Sequence, residues 1–199
     1  RERVGLTICE DIWVAGGPAA LAVAEGATVV VNLSASPYHL GKGEVRDELV
    51  ASFAREHGVH VGYANLVGGQ DELAFDGRSL VHGPDGAYCA EDLVVADLAA
   101  GTGPVAPLPA SREEELWGAL TLGLADYVGK NGFPGVLLGL SGGIDSAVAT
   151  ALAVDALGAD LVHAVSMPTR FNLSETRSDA RVVAENLGVD FREVPIEEL

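Results

Sequence analysis

The stretch Val136-Leu137-Leu138-Gly139-Leu140-Ser141-Gly142-Gly143-Ile144-Asp145-Ser146-Ala147 passes from an apolar run through a small polar loop into a helical pattern. Its position matters as much as its letters. Glycines let backbone N–H groups approach an oxyanion closely, Ser141 and Ser146 offer hydroxyls, and the following helix N-terminus supplies partial positive charge. Asp145 cannot favour a bare phosphate, so it is expected to hold the Mg²⁺ that accompanies ATP. A Walker loop would close on Gly-Lys-Ser/Thr, and no Lys stands here, which disfavours γ-phosphate transfer. The competing reading is a plain tight β–α turn; such turns are common, but this polar pattern is not.

Outward from the loop, the pattern predicts a strand over 135–140, a helix over 144–157, a strand over 161–166, a helix over 175–187 and a strand over 191–194. This order calls for a parallel sheet. Ala180, Val183, Ala184 and Leu187 fall on one face of the last helix, as sheet cover requires. Before the first strand, Ser111 and the acids Glu113 to Glu115 mark a helix start, Leu116, Leu120, Leu124 and Val128 give it an apolar stripe, and Asn131-Gly132 ends it. Ligands of open parallel sheets sit beyond the carboxyl ends of the strands, which puts Met167-Pro168-Thr169-Arg170 beside the nucleotide. Met167 could pack near an adenine and Arg170 could pair with a phosphate; a solvated surface cation remains the alternative for Arg170.

In the first half, strands are expected over 4–8, 28–33 and 59–63, all buried, with helices over 18–25 and 44–57 between them. A strand over 79–82, the turn Gly83-Pro84-Asp85-Gly86 and a strand over 93–98 suggest an antiparallel closure. Residues 99–110 carry Gly101, Gly103, Pro104, Pro107 and Pro109 and little that packs. The expected division is thus 1–98, a connection 99–111, and 112–199, an α/β architecture throughout.

A formal charge of −17, from 29 acidic and 12 basic residues among 199, argues against a nucleic-acid or anionic-membrane surface. Two cysteines are too few for a disulfide framework, which points to the cytoplasm. Acids interrupt the apolar runs before they reach the ~18 residues of a membrane span. The five histidines show no metal-ligand spacing, and Cys89 suggests no role. Cys9 directly follows the strand 4–8. On its own it reads best as a core cysteine, although a thiol at a strand end can act as a nucleophile where a base and oxyanion donors converge.

The loop 141–146 resembles the Ser-Gly-Gly-x-Asp-Ser loop of the ATP-pyrophosphatase family, which splits ATP into AMP and pyrophosphate to adenylate a substrate oxygen. The resemblance implies an ATP site of Gly139, Leu140, Ser141, Gly142, Gly143, Ile144, Asp145, Ser146, Met167 and Arg170, with Asp145 on the metal. Leu6-Thr7-Ile8-Cys9-Glu10-Asp11-Ile12-Trp13 resembles the nucleophile segment of the nitrilase superfamily. Asn32-Leu33-Ser34-Ala35-Ser36-Pro37-Tyr38-His39, Tyr63-Ala64-Asn65, Gly69-Gln70-Asp71-Glu72-Leu73 and Phe75-Asp76-Gly77-Arg78-Ser79 resemble its glutaminase members. Part of a nitrilase-like α/β sandwich followed by part of a parallel-sheet ATP-pyrophosphatase domain is the layout of the glutamine-dependent NAD synthetase family.

That resemblance implies a Cys9 nucleophile that takes ammonia from glutamine through a thioester. Glu10 would help hold the oxyanion by its N–H and the α-ammonium by its carboxylate; Ser36 and Lys42 would contact the glutamine, although a solvated Lys42 stays open. ATP would adenylate deamido-NAD, and the ammonia would displace AMP to give NAD. A homo-oligomer of the full-length protein is expected. The chain opens on Arg1-Glu2-Arg3 and reads as an excised segment. The family's Glu base and Lys lie upstream of the nucleophile strand, neither Lys42 nor Lys130 matches that Lys, and the deamido-NAD pocket should extend past Leu199, so this segment alone is expected to be inactive. Two alternatives stay open: another ATP-pyrophosphatase amidotransferase, and a non-catalytic nucleotide-binding fragment.

Overall fold

The computed structural model describes residues 2–89, 109–169 and 174–196. The chain divides into two compact units, Arg1–Gly68 with Leu73–Ala119, and Gly69–Glu72 with Leu120–Leu199. The expected strand 93–98 and most of the expected connection 99–111 lie outside the described residues.

In the first unit the order is β1 (Val4–Ile8), a 3-10 turn (Cys9–Ile12), α1 (Pro18–Ala24), β2 (Val29–Ser34), α2 (Lys42–His57), β3 (His60–Asn65), β4 (Val67–Gln70), β5 (Leu73–Asp76), β6 (Leu80–Gly83) and β7 (Gly86–Cys89). The main sheet runs β1-β2-β3-β6-β7. Its first three strands are parallel, and β6 and β7 are added antiparallel. Parallel neighbours require crossovers, which α1 and α2 provide. Pro18 opens α1, where its missing N–H costs nothing, and Gly58 at φ 65° ends α2 with its N–H on Ala54 O. Val30, Val61 and Tyr63 from the sheet pack with Val50 and Ala54 of α2 as the core.

Ile8 lies opposite Leu33, and Ser34 opposite Asn65. The chain therefore leaves β1, β2 and β3 at one edge of the sheet, the edge where an α/β protein gathers its functional loops.

Two expectations need correction. β1 is buried on one face only: Gly5 and Thr7 point inward, whereas Val4, Leu6 and Ile8 are 57%, 76% and 70% exposed. A short apolar run does not reveal how many faces of a strand are covered. The hairpin of β4 and β5 was also not foreseen, because its turn holds no Asn-Gly or Asp-Gly pair; Asp71 takes the left-handed conformation instead, at φ 51°.

The second unit takes α3 (Arg112–Asn131) from Leu120 onward, then β8 (Val136–Gly139), α4 (Ile144–Leu157), β9 (Val162–Ser166), α5 (Ser174–Leu187) and β10 (Asp190–Glu193). The sheet order is β10-β9-β8, parallel throughout, as the alternating pattern predicts. Ala180 and Ala184 of α5 and Ala153 of α4 pack with Leu140, Val162 and Ala164 in its core. Ser111 caps α3, its Oγ accepting from Glu114 N at 3.1 Å while the Glu114 carboxylate accepts from Ala110 N at 2.5 Å. Of the foreseen stripe on α3, Leu124 and Val128 pack inward, but Leu116 and Leu120 are 43% and 48% exposed, and Ala119 takes the buried position between them.

Candidate functional site

In the first unit, β1 delivers Cys9 to the functional edge. The residue has φ 46°, left-handed and uncommon outside glycine, so the chain turns sharply into the 3-10 turn as it leaves the strand. Asp11 accepts the Ile8 N–H at 2.8 Å, and the fully buried Asn32 donates to Cys9 O at 3.3 Å and to Thr7 Oγ1 at 3.0 Å. The thiol-bearing backbone is thus held from the turn in front and from β2 at its side.

A cavity of about 290 Å³ opens there, lined by Cys9, Glu10, Trp13, Ser36, Pro37, His39, Lys42 and Val45. All four residues expected in the glutaminase site line it. Lys42 is partly buried at the start of α2 and sets its ammonium 5.8 Å from the centre of the Trp13 ring, within the range of a cation–π contact. Glu10 is exposed at the rim and Cys9 half-buried. One cation and one carboxylate beside a thiol suit a ligand bearing both an α-carboxylate and an α-ammonium.

Sequence reasoning missed the frame behind this wall. Asn65 Oδ1 accepts the Ser36 N–H at 2.9 Å, and Arg46, fully buried, pairs with Asp76. Asn65 and Asp76 stood within quoted family segments, but no local pattern marks which of ten arginines is buried.

In the second unit, Leu140 is fully buried after β8 and the loop 141–143 leads into α4. Gly142 has φ 87°, which only glycine adopts freely. The serine hydroxyls are engaged within the loop itself. Ser146 Oγ accepts from Ser141 N at 3.2 Å and donates to Gly143 O at 2.9 Å, and Ser141 Oγ accepts from Gly143 N at 3.3 Å. Ser146 acts as a strut that gives the loop its shape.

Gly139 and Met167 meet at the carboxyl ends of β8 and β9: a Cβ built on Gly139 would lie 3.7 Å from Met167 Cε. Ile144 and Met167 stand 75% and 52% exposed beside the loop. Arg170 lies outside the described residues. Asp145 is exposed in the first turn of α4, and among the described residues no three acidic, histidine or cysteine side chains converge as a metal cage. A lone carboxylate fits Mg²⁺, which protein sites commonly hold by one or two carboxylates together with substrate phosphates. Among these residues no helix is long and apolar enough to cross a membrane.

Residues 2–94 match the carbon-nitrogen hydrolase family and residues 116–199 the NAD synthase family. The glutamine-dependent NAD(+) synthetase of Aquifex aeolicus is 39% identical over 99% of this chain and 42% of its own length. That of Xanthomonas campestris pv. campestris is 44% identical over 98% of this chain and 37% of its own. The structure of glutamine-dependent NAD+ synthetase from Acinetobacter baumannii in complex with adenosine diphosphate superposes with a TM-score of 0.91 at 37% identity, covering 98% of this chain and 39% of that one. The chain thus spans about two fifths of the length of these relatives. With a carbon-nitrogen hydrolase segment followed by an NAD synthase segment, the chain is similar along nearly its whole length to the glutamine-dependent NAD(+) synthetases.

Proposed function

We propose that the protein containing this chain makes NAD from deamido-NAD, ATP and glutamine, releasing AMP, pyrophosphate and glutamate. The observation that carries this reading is the gathering of Cys9, Glu10, Ser36 and Lys42 around one cavity, in a chain whose second unit bears the Ser141–Ser146 loop.

In the glutaminase half-reaction the Cys9 sulfur attacks the side-chain amide carbon of glutamine, ammonia leaves with a proton, and water cleaves the thioester to glutamate. The Glu10 N–H supports the oxyanion, Lys42 receives the α-carboxylate, the Glu10 carboxylate receives the α-ammonium, and Ser36 completes the amino-acid seat. By the family resemblance, the Glu that accepts the thiol proton and the Lys beside it come from parts of the protein other than this chain.

The second half-reaction adenylates the nicotinate carboxylate, because a carboxylate is a poor electrophile and hydroxide a poor leaving group. Backbone N–H groups of the loop 141–143 and of the start of α4 face the phosphates, with Gly139, Leu140 and Ile144 forming the floor, Met167 beside the adenine and Arg170 toward a phosphate. Asp145 would hold Mg²⁺, which when bound would neutralise charge on the departing pyrophosphate. Division of the chain into 1–98, a connection 99–111 and 112–199, a homo-oligomeric full-length protein and a cytoplasmic location are parts of the same proposal, which involves no nucleic-acid or membrane partner.

The test is product analysis of the full-length protein given ATP, Mg²⁺, glutamine and deamido-NAD. Equal amounts of NAD, AMP and pyrophosphate are expected. ADP in place of AMP would overturn the reading of the loop.

A further inference from the structure

The wall of the Cys9 cavity is held by a buried polar frame centred on the backbone of Ser36. The Ser36 N–H donates to Asn65 Oδ1 at 2.9 Å, and its carbonyl accepts from an Arg46 guanidinium nitrogen at a longer 3.4 Å. Both partners are buried, Arg46 at 0% exposure and Asn65 at 8%. Each is anchored from behind by consecutive residues: Arg46 pairs with Asp76, and Asn65 Nδ2 donates to Gly77 O at 2.9 Å. The Asn65 N–H is itself fixed by Ser79 Oγ at 3.0 Å.

This frame is a poor device for stability alone. Burying a guanidinium and a carboxylate costs several kcal/mol per ion before pairing, and apolar residues of similar volume often do as well or better. Here Arg46 Nε and Asp76 Oδ1 are also buried without a hydrogen-bond partner, so the pair is only partly satisfied. What the frame does accomplish is to fix both backbone polar groups of Ser36, a residue that lines the same cavity as Cys9.

We infer that Arg46 and Asn65 are positioning residues for the amide substrate: they set Ser36, and through it the seat in which the substrate amide is presented to Cys9. The inference rests on the glutaminase reading. The substrate class is an amino acid with a side-chain carboxamide, and neither residue touches it.

The experiment uses the full-length protein and reads iodoacetamide labelling of Cys9 by mass spectrometry, with and without glutamine. Arg46→Lys keeps a charge for Asp76 but lacks the fork that also reaches Ser36. Asn65→Ser removes the amide that bridges Ser36 and Gly77. In each variant the glutamine concentration that half-protects Cys9 is expected to rise on the order of tenfold, the loss of about one well-placed hydrogen bond. The labelling rate without glutamine and the melting temperature should change far less. Half-protection within about twofold of the unsubstituted protein in both variants would overturn the inference. So would a change in the bare labelling rate, or a fall in melting temperature, as large as the lost protection, because either is the result of general loosening. Absence of protection in the unsubstituted protein would reject the glutaminase reading itself, before any variant is compared.

Discussion

Cys9 shows how much of the site is fixed at the scale of one residue. Its left-handed backbone, φ 46°, is a conformation that costs an L-residue roughly 1–2 kcal/mol. Asn32 and Asp11 hold it there through Cys9 O and the Ile8 N–H. Relief of that strain in Cys9→Gly should outweigh the flexibility cost of glycine, about 0.5–1 kcal/mol. Cys9→Gly is therefore expected to be about 1 kcal/mol more stable than Cys9→Ala in urea unfolding. Equal stability, or a more stable Ala variant, would remove the idea that strain is stored at Cys9. Cys9, Glu10, Ser36 and Lys42 were legible in the sequence because their neighbours form recognisable segments, and the cavity gathers all four. Trp13, Pro37 and His39 stood within those segments without being singled out and Val45 outside them, since which side chains close a cavity depends on the path of α2 and the loop before it.

Among the elements, strands and helices with a clear period were predicted to within two residues, β1 and α4 at the bounds observed. The β4–β5 hairpin was not. Gly69 of β4 belongs to the second unit, where its N–H donates to Asp126 at 2.7 Å and its carbonyl accepts from Lys130 at 2.7 Å, both residues on α3. Contacts between positions this far apart in the chain leave no local pattern to read. Hydrogen bonding to Lys130 first, and then to the Gly69 N–H, holds the Asp126 carboxyl below its ordinary value. A group depressed in the folded state contributes stability that is present above its unfolded value and lost as pH falls through the folded one. Solvent screening keeps the effect modest. Asp126→Asn retains an acceptor for Gly69 and removes the charge, so its urea midpoint should fall below that of the unsubstituted protein at neutral pH, and the gap should close in acid. A gap that persists in acid would assign the contact to packing instead.

At the scale of the whole molecule, the two candidate sites stand on two units, each at the carboxyl ends of parallel strands. The proposed reaction uses them in series, ammonia being the only species they must share, and so the nitrogen source should separate them. In the full-length protein, Cys9→Ala is expected to lower glutamine-driven NAD formation by more than about a thousandfold, the scale on which removal of a nucleophile acts. Ammonium chloride should still drive amidation in that variant, because the loop 141–146 and its ATP chemistry are untouched. Asp145→Asn should behave differently. It weakens charge stabilisation at the step common to both nitrogen sources, and both rates should fall together by about a hundredfold. NAD formation with each nitrogen source, measured side by side in the two variants, distinguishes the cases. Loss of the ammonium-driven rate in Cys9→Ala would mean that Cys9 supports the structure of the second site; a selective loss of the glutamine-driven rate in Asp145→Asn would move that carboxylate out of the ATP site.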